Sequence, residues 1–288
     1  MQQKTGFATE KSIANTTFYG VFSLIDLITP LKSRLIMKTL VLPTMAITAA
    51  FFVASCQSKP GGTDAEVGAA QEADAISASA ASYSIDTTAS ELTWYGFKPT
   101  GRHNGTIDIE DGMLALEGGE VVGGSFTIDM NEIDVLDLEG EDEQKLTGHL
   151  KSPDFFAVEE FPTAAFEITE VVPYAEASME EDTSRMEVVV NDEAVSEYKV
   201  DNPTHAITGN LTLRDKTLSI TFPARIDVTD NQVTAEAKFN IDRTKWNVSY
   251  GDETDAVAQA KDKFIYNTVN VGFNIKANKQ GEATASAS

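Results

Sequence analysis

The sequence predicts an all-β fold: sequential antiparallel hairpins, about eight strands, and one or two short helices. Two observations carry this. The first is apolar residues at period two in several segments, which puts one dry face on each strand. The second is turn signals between many of those segments. Together they imply a closed meander barrel or a sandwich.

The strongest alternation is Leu218-Ile220-Phe222-Ala224-Ile226-Val228, with Ser219, Thr221, Arg225 and Asp227 on the opposite face. Ile207-Gly209-Leu211-Leu213, Ala235-Ala237-Phe239-Ile241 and Val269-Val271-Phe273-Ile275 repeat the pattern. Earlier strands are marked by Ile107-Ile109, Phe126-Ile128-Met130 and Ala164-Phe166-Ile168, and less strongly by Leu92-Trp94 and Met113-Leu116. Asn104-Gly105, Asp111-Gly112, Gly118-Gly119 and Asp230-Asn231 read as turns, and Arg214-Asp215-Lys216 as a short polar link. Helical sequence is confined to Glu141–Leu150 and Asp255–Phe264. The stretch from Pro173 to Pro203 reads as an acidic insertion, with a small hairpin around Val188-Val190. Strands of up to about ten residues make a tall barrel, and eight strands leave room inside for side chains or one small ligand.

Both ends of the chain carry other signals. Lys38, the apolar run Leu40 to Val53 and the small residues Ala54-Ser55 before Cys56 form a secretory pattern, so 37–56 is expected to be a signal peptide. The apolar run is too short to span a bilayer comfortably. Val53-Ala54-Ser55-Cys56 resembles a bacterial lipobox, and Cys56 is the single cysteine of the chain. This similarity implies lipidation of Cys56 and an anchor of several acyl chains, stable where one chain is marginal. A signal peptide rarely begins at residue 37, so Met37 is the expected start and residues 1–36 an upstream extension of the reading frame. Residues 57–82, rich in Ala, Gly, Ser, Asp and Glu, read as a flexible tether. The tail 278–288 reads as disordered.

Composition narrows the function. With 22 basic and 45 acidic residues the net charge is -23, which argues against nucleic acid as a partner. Residues 1–55 hold five basic and two acidic residues, so the acidity belongs to the part after the signal. One cysteine makes neither an internal disulfide nor a Cys-based zinc site. His103, His149 and His205 lack metal-ligand spacing. There is no P-loop and no G-x-S-x-G elbow, so no enzyme, no resident cofactor and no metal is expected.

Longer motifs add a family. The run Phe239 to Gly251 (FNIDRTKWNVSYG) is similar to the carboxy-terminal signature of the YceI-like proteins. His149 to Phe156 (HLKSPDFF), followed by Phe161-Pro162-Thr163-Ala164 and Phe166, resembles their central signature, and Gly209 to Arg214 with Phe222 the strands between. Tyr83-Ser84-Ile85-Asp86 stands where that family's domain begins, and the resemblance covers residues 83–277. It implies an extended, lipocalin-like antiparallel β-barrel holding a polyisoprenoid, a quinone-like lipid or a similar amphiphile. The family's opening pattern differs here, for the stretch Ala89 to Lys98 holds no histidine and the first follows at His103.

On this basis Phe126, Phe166, Ile207, Leu211, Phe222, Phe239, Ile241 and Phe273 are the candidate ligand-lining residues, with an ordinary filled core as the competing role. Arg243 and Trp246, with Asp242, either form a rim near a ligand headgroup or plug one barrel end through an Asp–Arg pair and the indole. His149 beside Lys151 either touches a headgroup or sits on the surface. The expected function is a lipid-anchored carrier that sequesters an isoprenoid lipid. The alternative is a filled-barrel interaction protein that uses its acidic surface. The expected location is the cell envelope, at the periplasmic face of the outer membrane, since Gln57 does not resemble an inner-membrane retention signal. The sequence is compatible with a homodimer.

Overall fold

The structure is a computed structural model and describes residues 61–177, 197–255 and 264–281. Its strands are β1 (Glu66–Ala69), β2 (Ala81–Ile85), β3 (Glu91–Lys98), β4 (Gly101–Glu117), β5 (Glu120–Val135), β6 (Thr163–Pro173), β7 (His205–Leu213), β8 (Lys216–Val228), β9 (Gln232–Asp242) and β10 (Thr268–Lys279). One α-helix, α1 (Gly140–Lys151), lies between β5 and β6.

The strands close on themselves. β4 to β10 pair in order, each antiparallel to the next. β2 and β3 share the remaining place between β10 and β4: β2 takes Ala277–Lys279 and β3 takes Val269–Asn274. The ring therefore has eight positions, the barrel expected from the alternation, with the dry faces turned inward. No helix among the described residues is long and apolar enough to cross a membrane.

Turn chemistry matches the sequence at three links. Gly118 and Gly119 both have positive φ between β4 and β5. Arg214 and Asp215, at φ 49° and 55°, make the tight link between β7 and β8, the primed-turn geometry that suits strand twist. Asp230-Asn231 joins β8 to β9. Two other expected turns are corrected. Asn104-Gly105 and Asp111-Gly112 lie inside β4, a single strand of 17 residues that bulges between Ile107 and Asp111. These glycines serve close approach. A Cβ on Gly105 would stand 1.7 Å from the Asp134 carbonyl oxygen and 2.7 Å from Trp94 Cζ2.

The expected tether is also corrected. Within it, β1 pairs antiparallel with Leu218–Thr221 of β8, and Ala81-Ser82 already belong to β2. The cause lies in the barrel wall. β8 and β9 pair only from Ala224 to Val228 and part at Pro223, which has no N–H to donate. The splayed edges leave N–H and C=O groups needing partners. Residues 63–69 fill the seam: Asn240 N donates to Thr63 O (2.7 Å) and Ala65 N to Asn240 O (2.9 Å). Ala65 and Val67 pack on the core.

Outside the wall, buried amides tie in the flanking segments. Asn270 donates to Asn240 Oδ1 (2.9 Å) and Tyr198 O (3.1 Å), while Asn240 donates to Asp64 and Gly61. Asn210 pairs with both backbone groups of Gln71. Tyr198, at the return of the acidic insertion, packs edge-on against Tyr95 and Phe97. Val188-Val190 and residues 256–263 of the second expected helix lie outside the described residues, as do residues 1–60 with Cys56 and the end of the tail from 282. Asn278 and Lys279, expected in that tail, belong to β10.

Candidate ligand-binding cavity

The barrel interior is divided by a layer of rings. Phe126 (β5), Phe166 (β6), Phe222 (β8), Phe239 (β9) and Phe273 (β10) meet at mid-height, with ring centroids 4.1 to 6.1 Å apart. Phe222 and Phe239 stack at 4.1 Å and 16°. β7 contributes Gly209, where a Cβ would stand 2.3 Å from Phe166 Cζ. The bare backbone is what lets that ring lie flat against the wall.

On one side of the layer lies a small void of about 40 Å³. On the other lies a cavity of about 140 Å³. Its walls are inward side chains at period two: Leu92 and Trp94 of β3, Ile128 and Met130 of β5, Leu211 and Leu213 of β7, Val269, Val271 and Phe273 of β10. Its end is closed by Leu150 of α1, by Phe155 and Phe156 after the helix, and by Val248 and Ile265 from the loops beyond β9.

α1 is placed there by its polarity and its sequel. Glu141, Asp142 and Glu143 occupy its first turn and His149 and Lys151 its last, matching the helix dipole. Leu150 is its buried residue and points into the cavity. The following turn is held by Arg214, which donates to Phe155 O and Asn247 O, both at 2.7 Å, and so ties the two end-closing segments together.

All eight candidate lining residues are buried, but they divide between the two spaces. Leu211, Phe239, Ile241 and Phe273 line the larger cavity; Phe126, Phe166, Ile207, Phe222 and again Phe273 line the smaller void. Leu92, Trp94, Leu150, Phe155 and Val248 were not among the candidates. The two expected signature segments, 149–156 and 239–251, do both reach the cavity end.

Among the described residues, Arg243 is the one charged side chain in the lining. It is 5% exposed and donates to Tyr266 O (3.1 Å), Val248 O (2.7 Å) and Ile265 O (3.1 Å). Burial pushes its pKa below the ordinary value, against the opposing charges of Asp252, Asp242 and Glu253. The expected close pair with Asp242 is replaced by these carbonyls, because Asp242 turns back to accept from Thr244 N (3.0 Å) and Oγ1 (2.6 Å). Asp252 is held below the usual carboxylate range by the Thr254 N–H (2.8 Å) and the Asn267 side chain (3.0 Å), with Arg243 adding to them.

Trp246 is fully buried and donates to Leu211 O at 3.0 Å. It stands behind the lining, as a wedge against β7. His149 lies outside the lining, with Nε2 3.3 Å from Asp154 Oδ2 and its ring edge-on to Phe155 and Tyr250. Trp94 is different: it lines the cavity, and its indole Nε1 is buried without a hydrogen-bond partner. His103 and His205 are not part of the cavity lining and pair with Asp137 and Glu120.

Comparison with known proteins gives the following. The YceI-like domain matches residues 83–277. No curated protein matches. BcnA of Burkholderia cenocepacia is 16% identical, with 67% of this chain and 98% of that one covered and a TM-score of 0.48. A polyisoprenoid binding domain from Saccharophagus degradans, implicated in plant cell wall breakdown, is 16% identical over 69% of this chain and 98% of its own, with a TM-score of 0.43. A YceI protein of Campylobacter jejuni is 16% identical over 57% and 75%, with a TM-score of 0.36. The family match spans more than half of the sequence, and the chain belongs to the YceI-like family.

Proposed function

We propose that this protein binds the apolar chain of an isoprenoid lipid or similar amphiphile inside its barrel, and that acylation of Cys56 tethers it to a membrane. The observation that supports this best is the cavity of about 140 Å³, walled by inward aliphatic and aromatic side chains and roofed by Leu150, Phe155 and Phe156. Burial of an apolar chain is worth about 0.8 kcal/mol per CH₂, less the cost of ordering the chain. The action is sequestration from water, with no bond made or broken. The lipobox-like run before Cys56 supports placement in the cell envelope, and Gln57, which does not resemble an inner-membrane retention signal, supports the periplasmic face of the outer membrane. A homodimer is compatible with this reading.

One observation favours a second reading. The ring layer fills the middle of the barrel, and a cavity of about 150 Å³ is the size that accepts benzene. A barrel that stays filled would act through its acidic surface instead.

Lipid extraction and mass spectrometry separate the two. The chain is purified without detergent from a host that makes isoprenoid lipids. A stoichiometric prenyl lipid is expected. A folded, empty barrel that also refuses added prenyl alcohols would favour the filled-barrel reading. Mass analysis of the amino-terminal peptide should find acyl chains on Cys56, and an unmodified thiol there would remove the anchor from the proposal.

A further inference from the structure

We infer that ligand enters and leaves this cavity through its closed end, and that Arg214 is the latch that sets the rate of exchange. The inference rests on the cavity-binding reading and concerns the kinetics of that site, whatever apolar chain it holds. It starts from what holds each boundary of the cavity together.

The side wall is made of antiparallel ladders, so parting two strands breaks several backbone hydrogen bonds together. The seam between β8 and β9 interrupts the ladder, but neither its filling segment nor any residue of β8 is in the cavity lining. The inner boundary is the layer of five packed rings. The closed end is built differently. Leu150 stands on the last turn of α1, and Phe155, Phe156, Val248 and Ile265 stand on segments outside the barrel strands. These segments are joined to one another by arginine side chains. Arg243 is the fixed one: it is 5% exposed and ties Val248 O to the carbonyls of Ile265 and Tyr266.

Arg214 is the releasable one. It stands on the turn between β7 and β8, half-buried and outside the lining. Its Nη1 donates to both Phe155 O and Asn247 O. Phe155 lines the cavity, as does Val248 beside Asn247. One guanidinium nitrogen therefore bridges two of the segments that close the end. Both acceptors are neutral carbonyls, and no carboxylate among the described residues forms an ion pair with Arg214. Its Nε is buried with no partner, so the closed position leaves one donor of the fork unmet. When the two segments move apart, the guanidinium can follow only one of them. Opening therefore breaks one bond from a charged donor, whereas opening the wall breaks a ladder. Lid motions of this kind set exchange rates without altering the bound state.

The test measures geraniol exchange by stopped-flow in the full chain, read through tryptophan fluorescence, since Trp94 lines the cavity. Arg214→Met keeps the length of the side chain and removes its donors. Its association and dissociation rates should both rise about tenfold, the value of one hydrogen bond from a charged group. The equilibrium Kd should stay within about twofold, because Arg214 touches no ligand. A merely structural role gives a different signature, a weaker Kd carried by dissociation alone, and that result would overturn the latch. So would two unchanged rates. Should Arg214→Met not fold, Arg214→Lys carries the test: it lacks the fork, and both rates should rise by about threefold or more. Either overturning result leaves geraniol bound to the wild type and the cavity as a binding site. If geraniol does not bind the wild type, the cavity reading fails and the latch fails with it.

Discussion

Phe273→Ala is the perturbation that most directly tests how the interior is partitioned. Phe273 is 6% exposed, borders both the cavity and the smaller void, and its ring faces those of Phe126, Phe166, Phe222 and Phe239 at 5.3 to 6.1 Å. Truncating a buried Phe to Ala typically costs about 3–5 kcal/mol. The site is stiff, because the neighbouring rings are themselves held on four other strands, so little collapse is expected and the cost should fall in the upper part of that range. For a domain of this size each kcal/mol shifts Tm by about 2–4 °C, so a fall of roughly 10–15 °C is expected on the same scale. The vacated ring joins the two spaces into one longer channel. Thermal melts with a series of prenyl alcohols measure both effects. The variant should melt lower when empty, and the stabilisation it gains from ligand should increase with chain length more steeply than in the wild type. A fall of under about 3 °C would mean the ring bears little packing energy. An unchanged chain-length preference would refute the role of Phe273 as the partition.

Two further predictions concern the cavity end. Arg243→Lys keeps the charge but lacks the planar fork that reaches three carbonyls, so urea unfolding should show a loss of about 3 kcal/mol; a loss under about 1 kcal/mol would show that the three bonds contribute little. Asp252 has a lowered folded pKa, so its contribution is complete above the ordinary carboxylate value of about 3.9 and is lost as pH falls through the lowered value. Asp252→Asn should therefore flatten the acid side of a Tm-against-pH curve and leave its neutral side parallel to wild type, and an identical acid slope would count against the role of that carboxylate.

The barrel was legible in the sequence because the wall alternates. Leu218 to Ile226 and Val269 to Ile275 point inward as their period requires, while Val228 at the end of β8 is exposed. What the alternation hides is anything set by a neighbour distant in the chain. Gly105 and Gly112 carry turn-like dipeptides, yet they are dictated by Trp94, Asp134, Ile85 and Phe126 packing against them. Around β1 the apolar pattern is only Ala65, Val67 and Ala69, and its pairing depends on backbone groups exposed where β8 and β9 separate. The lining shows the same limit. Strand positions such as Leu211, Phe239 and Phe273 follow from periodicity, while Leu150, Phe155 and Val248 arrive from a helix and loops whose docking no local pattern encodes. Arg243 and Trp246 stood out as a motif, but their partners, Ile265, Tyr266 and Leu211, lie some 20 to 35 residues away.

The seam-filling segment also fixes how this protein would hang from a membrane. Gly61 is held at the outer wall by Asn240, the residue between the cavity-lining Phe239 and Ile241. With a lipid on Cys56, four residues (57–60) remain between anchor and wall, and the five steps from Cys56 to Gly61 span at most about 18 Å of fully extended chain. Such a leash is shorter than the barrel is tall. The domain could not swing freely above the bilayer, and the flank beside the cavity would stay within reach of the headgroups.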